Sequence, residues 1–289
     1  MRLDSYIAQY WSERSRAQWQ KLIEAGHVYV NGEVCTKVSF ELGEDDEVTV
    51  KAPKPPVLDG NVDVIYEDDH VLVMNKPSGV LSHAKGLMPD EFTVAEFVRR
   101  HLHFTPDTNE NRAGIVHRLD RDTSGVIIAA KDEDTVTFLQ RQFHDRKAKK
   151  TYIAIVRGVP AHPKATIDVP IGRNPKRPSS FRVDPNGKQA QTHYEVLGSS
   201  RDMTVVRLKP TTGRTHQLRV HMAYIGMPIV GDEIYGGGTS PLARLCLHAY
   251  ELEITIPRNA SSDVDESPRR TFTAPLPQDF RRLVDDICT

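Results

Sequence analysis

The ten residues Lys51-Ala-Pro-Lys-Pro-Pro-Val-Leu-Asp-Gly60 carry three prolines and no apolar periodicity, and they constrain the fold more than any other feature of the chain. Proline removes a backbone donor and fixes φ, so such a stretch builds neither a helix interior nor a central strand. It reads as a semi-rigid linker. The chain on either side must then fold in separate pieces, a small one over residues 1–52 and a large one over 62–289, with 53–61 between them. A length of 289 residues suits about two domains, each burying its own core.

In the small piece, Leu3, Ile7 and Tyr10 recur at helical spacing. Ser15 followed by Gln18 has the spacing of a capping box, and Trp19, Leu22 and Ile23 supply the apolar stripe of a second helix that Gly26 stops. Val28 and Val30 alternate as a strand, Asn31-Gly32 is a strong hairpin turn, Val34 resumes on the other arm, and Glu47 to Val50 closes the unit. Arg14, Arg16, Gln20 and Lys21 lie off the stripe and give the second helix a basic face.

The large piece alternates irregularly. Strands are predicted over Val71–Met74 (ending at Lys76-Pro77), Gly125–Lys131, Lys150–Gly158 and Val205–Leu208. Helices are predicted over Glu133–Arg146, with Val136, Leu139 and Phe143 inward, and over Arg214–Ile225, with Leu218, Met222 and Ile225 inward. Asn259 to Arg270 is polar and reads as a loop. Without steady βαβ alternation, an α+β class is expected rather than a doubly wound one.

Charge is the next constraint. Lys+Arg total 38 and Asp+Glu 39, a net charge of −1, which by itself gives no reason to expect a polyanionic partner. The distribution does. Val38 to Asn75 holds Lys51 and Lys54 as its only bases among many acids, whereas Pro170 to His221 is basic, its acids being Asp184, Glu195 and Asp202. A segregated chain can present one basic face to phosphate, although clustering alone fits a solvated surface equally well. No run of about 18 apolar residues spans a bilayer, and the N-terminus, with Asp4 and no apolar core, lacks a secretory signal. Cys35, Cys246 and Cys288 are odd in number and far apart, which suits a reducing cytoplasm.

Chemistry concentrates in His117-Arg118-Leu119-Asp120-Arg121-Asp122-Thr123-Ser124-Gly125, between Gly114-Ile115-Val116 and the buried run Val126–Ala130. A turn in which Asp122 and Thr123 cap backbone amides is one reading of these residues; a functional loop is the other. Tyr152, in phase with Ala154 and Val156, fits a core position, and Arg219, flanking its helix stripe, fits a boundary arginine.

This nine-residue stretch resembles the signature of the RluA-type pseudouridine synthases, and three further segments resemble that family's motifs in order. They are Tyr66–His70 with Asn75-Lys76-Pro77-Ser78-Gly79, then Lys150-Thr151-Tyr152-Ile153-Ala154, then Thr212 to His221. Residues 1–52 are similar to the S-four-like RNA-binding domain. The resemblance implies a mixed, mainly antiparallel sheet and a catalytic set of Asp120, Tyr152 and Arg219. It implies substrate contacts from His117, Arg118, Leu119, Arg214, His216 and Gln217, and RNA contacts from Arg14, Arg16, Gln20 and Lys21. The activity implied is isomerisation of uridine on a flipped base, most readily in large-subunit ribosomal RNA, with transfer RNA the alternative, by a cytoplasmic monomer with no cofactor. Arg219 is expected to pair with Asp120 and keep it ionised.

Two other classes remain to be weighed. Asp120-Arg121-Asp122-Thr123 approaches the motif of aspartate-nucleophile phosphohydrolases, but the threonine is one place early and His-Arg-Leu precedes the first aspartate. A non-catalytic RNA-binding protein leaves the large piece unexplained. No metal site is expected: HExxH is absent, and neither His101-x-His103 nor His216 with His221 has a carboxylate cluster beside it. GxxxxGK[ST] and GxGxxG are absent too.

Overall fold

The computed structural model describes all residues except 12–15, 25, 44, 51–59, 85–90, 103–111 and 258–267, and also omits the side chains of 17, 18 and 21. Ser15, Gln18 and the proposed linker thus fall at or outside the described residues. The chain divides into two compact units, one containing the N-terminal residues and the other most of the chain after Gly60.

The first unit holds helices α1 (Leu3–Tyr10) and α2 (Arg16–Glu24) and strands β1 (Val28–Val30), β2 (Glu33–Val34) and β3 (Val48–Val50). β1 is central, antiparallel to both others. Asn31 and Gly32 both take positive φ, 54° and 82°, as the two-residue hairpin between β1 and β2 requires. Leu3, Ile7, Trp19, Leu22, Ile23 and Val28 bury together, whereas Tyr10 is 63% exposed and leaves the expected stripe. The helix spacing continued past the core, and Trp11 packs there instead.

The second unit contains, in order, β4 (Asp63–Glu67), β5 (Val71–Lys76), α3 (Val94–Arg99), β6 (Ser124–Ala130), α4 (Glu133–His144), β7 (Lys149–Arg157), β8 (Lys164–Asp168), β9 (Ile171–Arg173), β10 (Phe181–Val183), β11 (Gln191–Ser199), β12 (Met203–Pro210), α5 (Gln217–Tyr224), β13 (Leu247–Thr255), β14 (Arg269–Thr273) and α6 (Gln278–Cys288). One sheet of nine strands runs β4-β5-β6-β13-β7-β12-β11-β8, with β14 on β13, and β9 and β10 form a separate hairpin. The sheet is mixed and mainly antiparallel: β6 and β13 are its one parallel pair among the described strands. All seven residues of β6 are buried. Arg269 and Arg270, expected in a loop, begin β14. Its alternation buries only Phe272, too weak a pattern to read from sequence.

Two details of register position the site. Ala249 of β13 pairs with Gly125 on one side and Tyr152 on the other, and Tyr152 pairs with Leu208, so one line crosses β6, β13, β7 and β12. Gly125 is required there, since its φ is +115° and a Cβ would fall 2.1 Å from the carbonyl oxygen of Ala249. Beyond that line β6 leaves β13. Its edge is taken by residues 114–117, leading into the polar loop: Gly114 O accepts from Ala130 N, and the His117 Nε2 accepts from Ile128 N at 3.1 Å.

Candidate active site

The loop preceding β6 is held from beneath by residues 76–82. Lys76 is fully buried, and its ammonium donates to the carbonyls of Pro77, Val80 and Arg121 at 2.9, 2.6 and 2.8 Å. Burial pushes its pKa down to about 7, against the pull of the Asp122 and Asp120 charges. Gly79 N donates to Arg121 O, Ser78 Oγ to Asp122 O, and Ser82 Oγ both accepts from Leu119 N and donates to Leu119 O. The turn closes with Thr123 N on Asp120 O at 3.1 Å. Neither Asp122 nor Thr123 caps an amide with its side chain among the described residues, so the alternative reading as a self-capped turn does not hold. Sequence alone marked Asn75–Gly79 as a motif without indicating that it cradles the loop.

This cradle presents Asp120 to a cleft of about 580 Å³ lined by the 116–120 loop, the end of α4, Lys150 and Tyr152 of β7, and residues 210–219. The carboxylate Oδ2 lies 3.6 Å from a terminal nitrogen of Arg219 and 3.9 Å from His216 Nε2. Arg219 does face Asp120 as expected, but its close partner is another residue. Its Nε and Nη2 make a bidentate pair with Asp232 at 2.7 and 2.8 Å, both groups being nearly fully buried. Asp232 also accepts from the amides of Ile234 and Tyr235. Burial works against the Arg219 charge, but the hydrogen bonds and charge of Asp232, with Asp120 and Tyr235, raise its pKa above the usual arginine value.

Tyr235 is a second residue that sequence reasoning missed. Its ring lies 5.2 Å beneath the Arg219 guanidinium, and its hydroxyl accepts from Phe181 N and bonds His216 Nδ1 at 2.7 Å. The signal was available in Gly231-Asp232-Glu233-Ile234-Tyr235, a small polar segment before Gly236-Gly237-Gly238 that reads as an ordinary loop. His216 sits in the left-handed region (φ 56°) at the start of α5. The helix therefore begins at Gln217, three residues later than its periodicity predicts, because Arg214 N and Thr212 Oγ1 both donate to the Gln217 side chain.

The remaining expected contacts divide. Arg118 is exposed at the cleft and makes no hydrogen bond or ion pair among the described residues; Arg214 lines it while donating Nε to Gln189 O. Tyr152 lines it as well. Burial and the Asp120 charge push its phenol above the ordinary tyrosine value, so it stays protonated at neutral pH. His117 lines the cleft too, but as a neutral ring. Burial and nearby Lys150 drive its pKa down to about 3, its Nε2 is used by a backbone amide, and its ring stacks on Phe143. A neutral, occupied imidazole offers no charge to an anion. Gln217 is likewise internal, its amide group donating to Gln191 O and Thr192 Oγ1. Leu119 is buried and contributes shape.

The polar face of α2 is partly engaged within its own unit, while the Arg16 side chain stays 52% exposed. Arg16 and Gln20 both bond the fully buried Asp4, at 3.0 and 2.8 Å, alongside Arg2. Burial alone would raise the pKa of Asp4, yet the hydrogen bonds from Gln20, Arg2 and Arg16 lower it to about 2. Arg14 and the Lys21 side chain lie outside the described residues.

Arg118, Arg146, Lys150, Arg214 and Arg219 line the cleft against the one carboxylate of Asp120. The fold is α+β, and its cleft sets the carboxylate of Asp120 among basic side chains. The family model described as RNA pseudouridylate synthase matches residues 70–224, and the S4 domain model matches residues 1–48. The RNA pseudouridine synthase YlyB of Bacillus subtilis (strain 168) is 37% identical over 295 residues, covering 99% of this chain and 94% of the relative. The ribosomal large subunit pseudouridine synthase D of Borreliella burgdorferi is 38% identical over 285 residues, covering 93% and 87%. The solved structure of human RNA pseudouridylate synthase domain containing 1 superposes with a TM-score of 0.58 at 27% identity, covering 81% of this chain and 97% of that one. The chain belongs to the RNA pseudouridylate synthase family, enzymes that isomerise uridine in RNA, and it carries an S4 domain.

Proposed function

We propose that the enzyme converts uridine to pseudouridine in large-subunit ribosomal RNA, with Asp120 as its catalytic carboxylate. The observation that carries the assignment is the position of Asp120. Among the described residues it is the single carboxylate in a cleft with five cationic residues, beside Arg219 and with the protonated Tyr152 in the same cleft. The reaction breaks the bond between uracil N1 and ribose C1′, turns the base, forms the C5–C1′ bond, and transfers the C5 proton away while N1 gains one. Atoms balance without oxidant, metal or external group. A duplex base is out of reach, so the target is read as flipped, with Tyr152 as the ring it rests on and Arg118 taking phosphate. The ribosomal assignment follows the names of relatives such as the Borreliella enzyme. Residues 1–52 act as a separate RNA-holding domain in a cytoplasmic monomer.

Asp120→Asn tests this. Supplied to RNA from a strain lacking the gene, the wild type should create carbodiimide-reactive positions in large-subunit RNA, and the variant should bind the same RNA and create none. Turnover within tenfold of wild type would remove Asp120 from the reaction, and sites confined to transfer RNA would replace the substrate.

A further inference from the structure

Lys150 has no role in the scheme so far. It lies two residues before Tyr152 on β7, so both side chains leave the same face of the strand and line the cleft. Its ammonium reaches the opposite wall: a Cβ placed on Gly213 would stand 3.5 Å from Nζ.

Two lysines of the second unit that are buried more deeply than the half-buried Lys150 have oxygen partners. Lys76 has three carbonyls, and Lys131 has Glu67 and Asp68 O. Lys150 makes no hydrogen bond or ion pair among the described residues. The other charged residues lining the cleft, among the described residues, are Asp120 and four arginines: Arg118 of the loop, Arg146 at the end of α4, and Arg214 and Arg219 of the 210–219 segment. Burial pushes its pKa down to about 8, so it remains charged at neutral pH without a counter-ion. A desolvated, unpaired ammonium is costly, and structure maintains one where an anion arrives from outside.

We propose that Lys150 binds a backbone phosphate of the RNA strand that carries the target uridine, positioning that strand across the cleft between β7 and the Gly213 turn. The proposal rests on reading the cleft as the RNA site. A phosphodiester supplies the missing anion, and the small Gly213 leaves room for it beside Nζ. Lys150 is thereby a binding residue distinct from the carboxylate chemistry at Asp120.

The test compares wild type, Lys150→Met and Lys150→Arg on total RNA from a strain lacking the gene. It reads KM, the saturating single-turnover rate and the dependence of kcat/KM on salt. Loss of one charged contact should raise KM about tenfold or more in Lys150→Met, with the loss carried by KM rather than by the saturating rate. The salt slope should become shallower by about 0.7, the value for one phosphate on a single strand. Lys150→Arg should recover most of both. Thermal stability of Lys150→Met should equal or exceed wild type, because a half-buried charge without a partner has been removed from the cleft wall. A saturating rate that falls while the salt slope holds, or a lowered melting temperature, overturns the proposal. A wild type that converts no uridine in that RNA overturns the reading of the cleft itself, and the proposal with it.

Discussion

A guanidinium between two carboxylates gives its hydrogen bonds to the nearer and only its field to the other. Arg219 spends its fork on Asp232 and meets Asp120 at 3.6 Å. Removing it therefore strands the buried carboxylate of Asp232 as well as withdrawing a charge from beside Asp120. Arg219→Ala should cost about 3–5 kcal/mol of stability, read as a shifted urea midpoint, and Arg219→Lys less. An unshifted midpoint would remove Asp232 as the principal partner. Tyr235→Phe keeps the ring under Arg219 but loses the bonds to His216 and Phe181. A loss of about 1 kcal/mol in stability and a fall of about tenfold in the saturating rate are expected, measured by melts and single turnovers. His117 was legible as part of a polar motif but not as a neutral acceptor, because only the fold reveals which amide it faces. Its pKa falls below the unfolded value, as does that of His248, which reaches about 4 through burial. Stability from these two should be complete above about pH 6.5 and decline as the pH falls toward their folded values. His117→Gln should flatten part of that decline in a pH series of denaturant midpoints; an unchanged curve would assign it elsewhere.

At the scale of elements, periodicity revealed most strands and helices because their inward faces are continuous: β6 is buried throughout and apolar from Val126 to Ala130, and α4 turns Leu139 into the core. What stayed hidden depends on partners distant in sequence. The cradle under Asp120 joins Lys76 to a carbonyl 45 residues away, and no local pattern records that pairing. The late start of α5 reflects a side chain, Gln217, that competes for the first turn. Gly125 is where the two halves of the sheet approach, and its requirement is equally non-local. Gly125→Ala would put a methyl into the Ala249 carbonyl at a strained φ. A cost above about 3 kcal/mol is expected, lowering the melting temperature by about 6–12 °C in a unit of this size. A variant melting like wild type would mean that β6 can withdraw from β13 at no cost.

For the molecule as a whole, the −1 net charge conceals a cleft lined by five cations, and the segregation along the chain pointed to only two of them, Arg214 and Arg219, the other three coming from residues 118–150. The family motifs made the location of the site readable from sequence; its electrostatic ordering, with Asp232 behind Arg219 and Lys150 unpaired, was not. The parallel contact between β6 and β13 spans just two residue pairs, His248 with Ser124 and Ala249 with Gly125. Every neighbouring pair along the main path of the nine-stranded sheet is longer. Mechanically, the sheet is two plates joined along a short seam, with β4, β5 and β6 on one side. Load applied across that seam should part the plates before either shears internally. In hydrogen exchange under mild denaturant, amides donating across the seam should lose protection ahead of those joining β7 to β12.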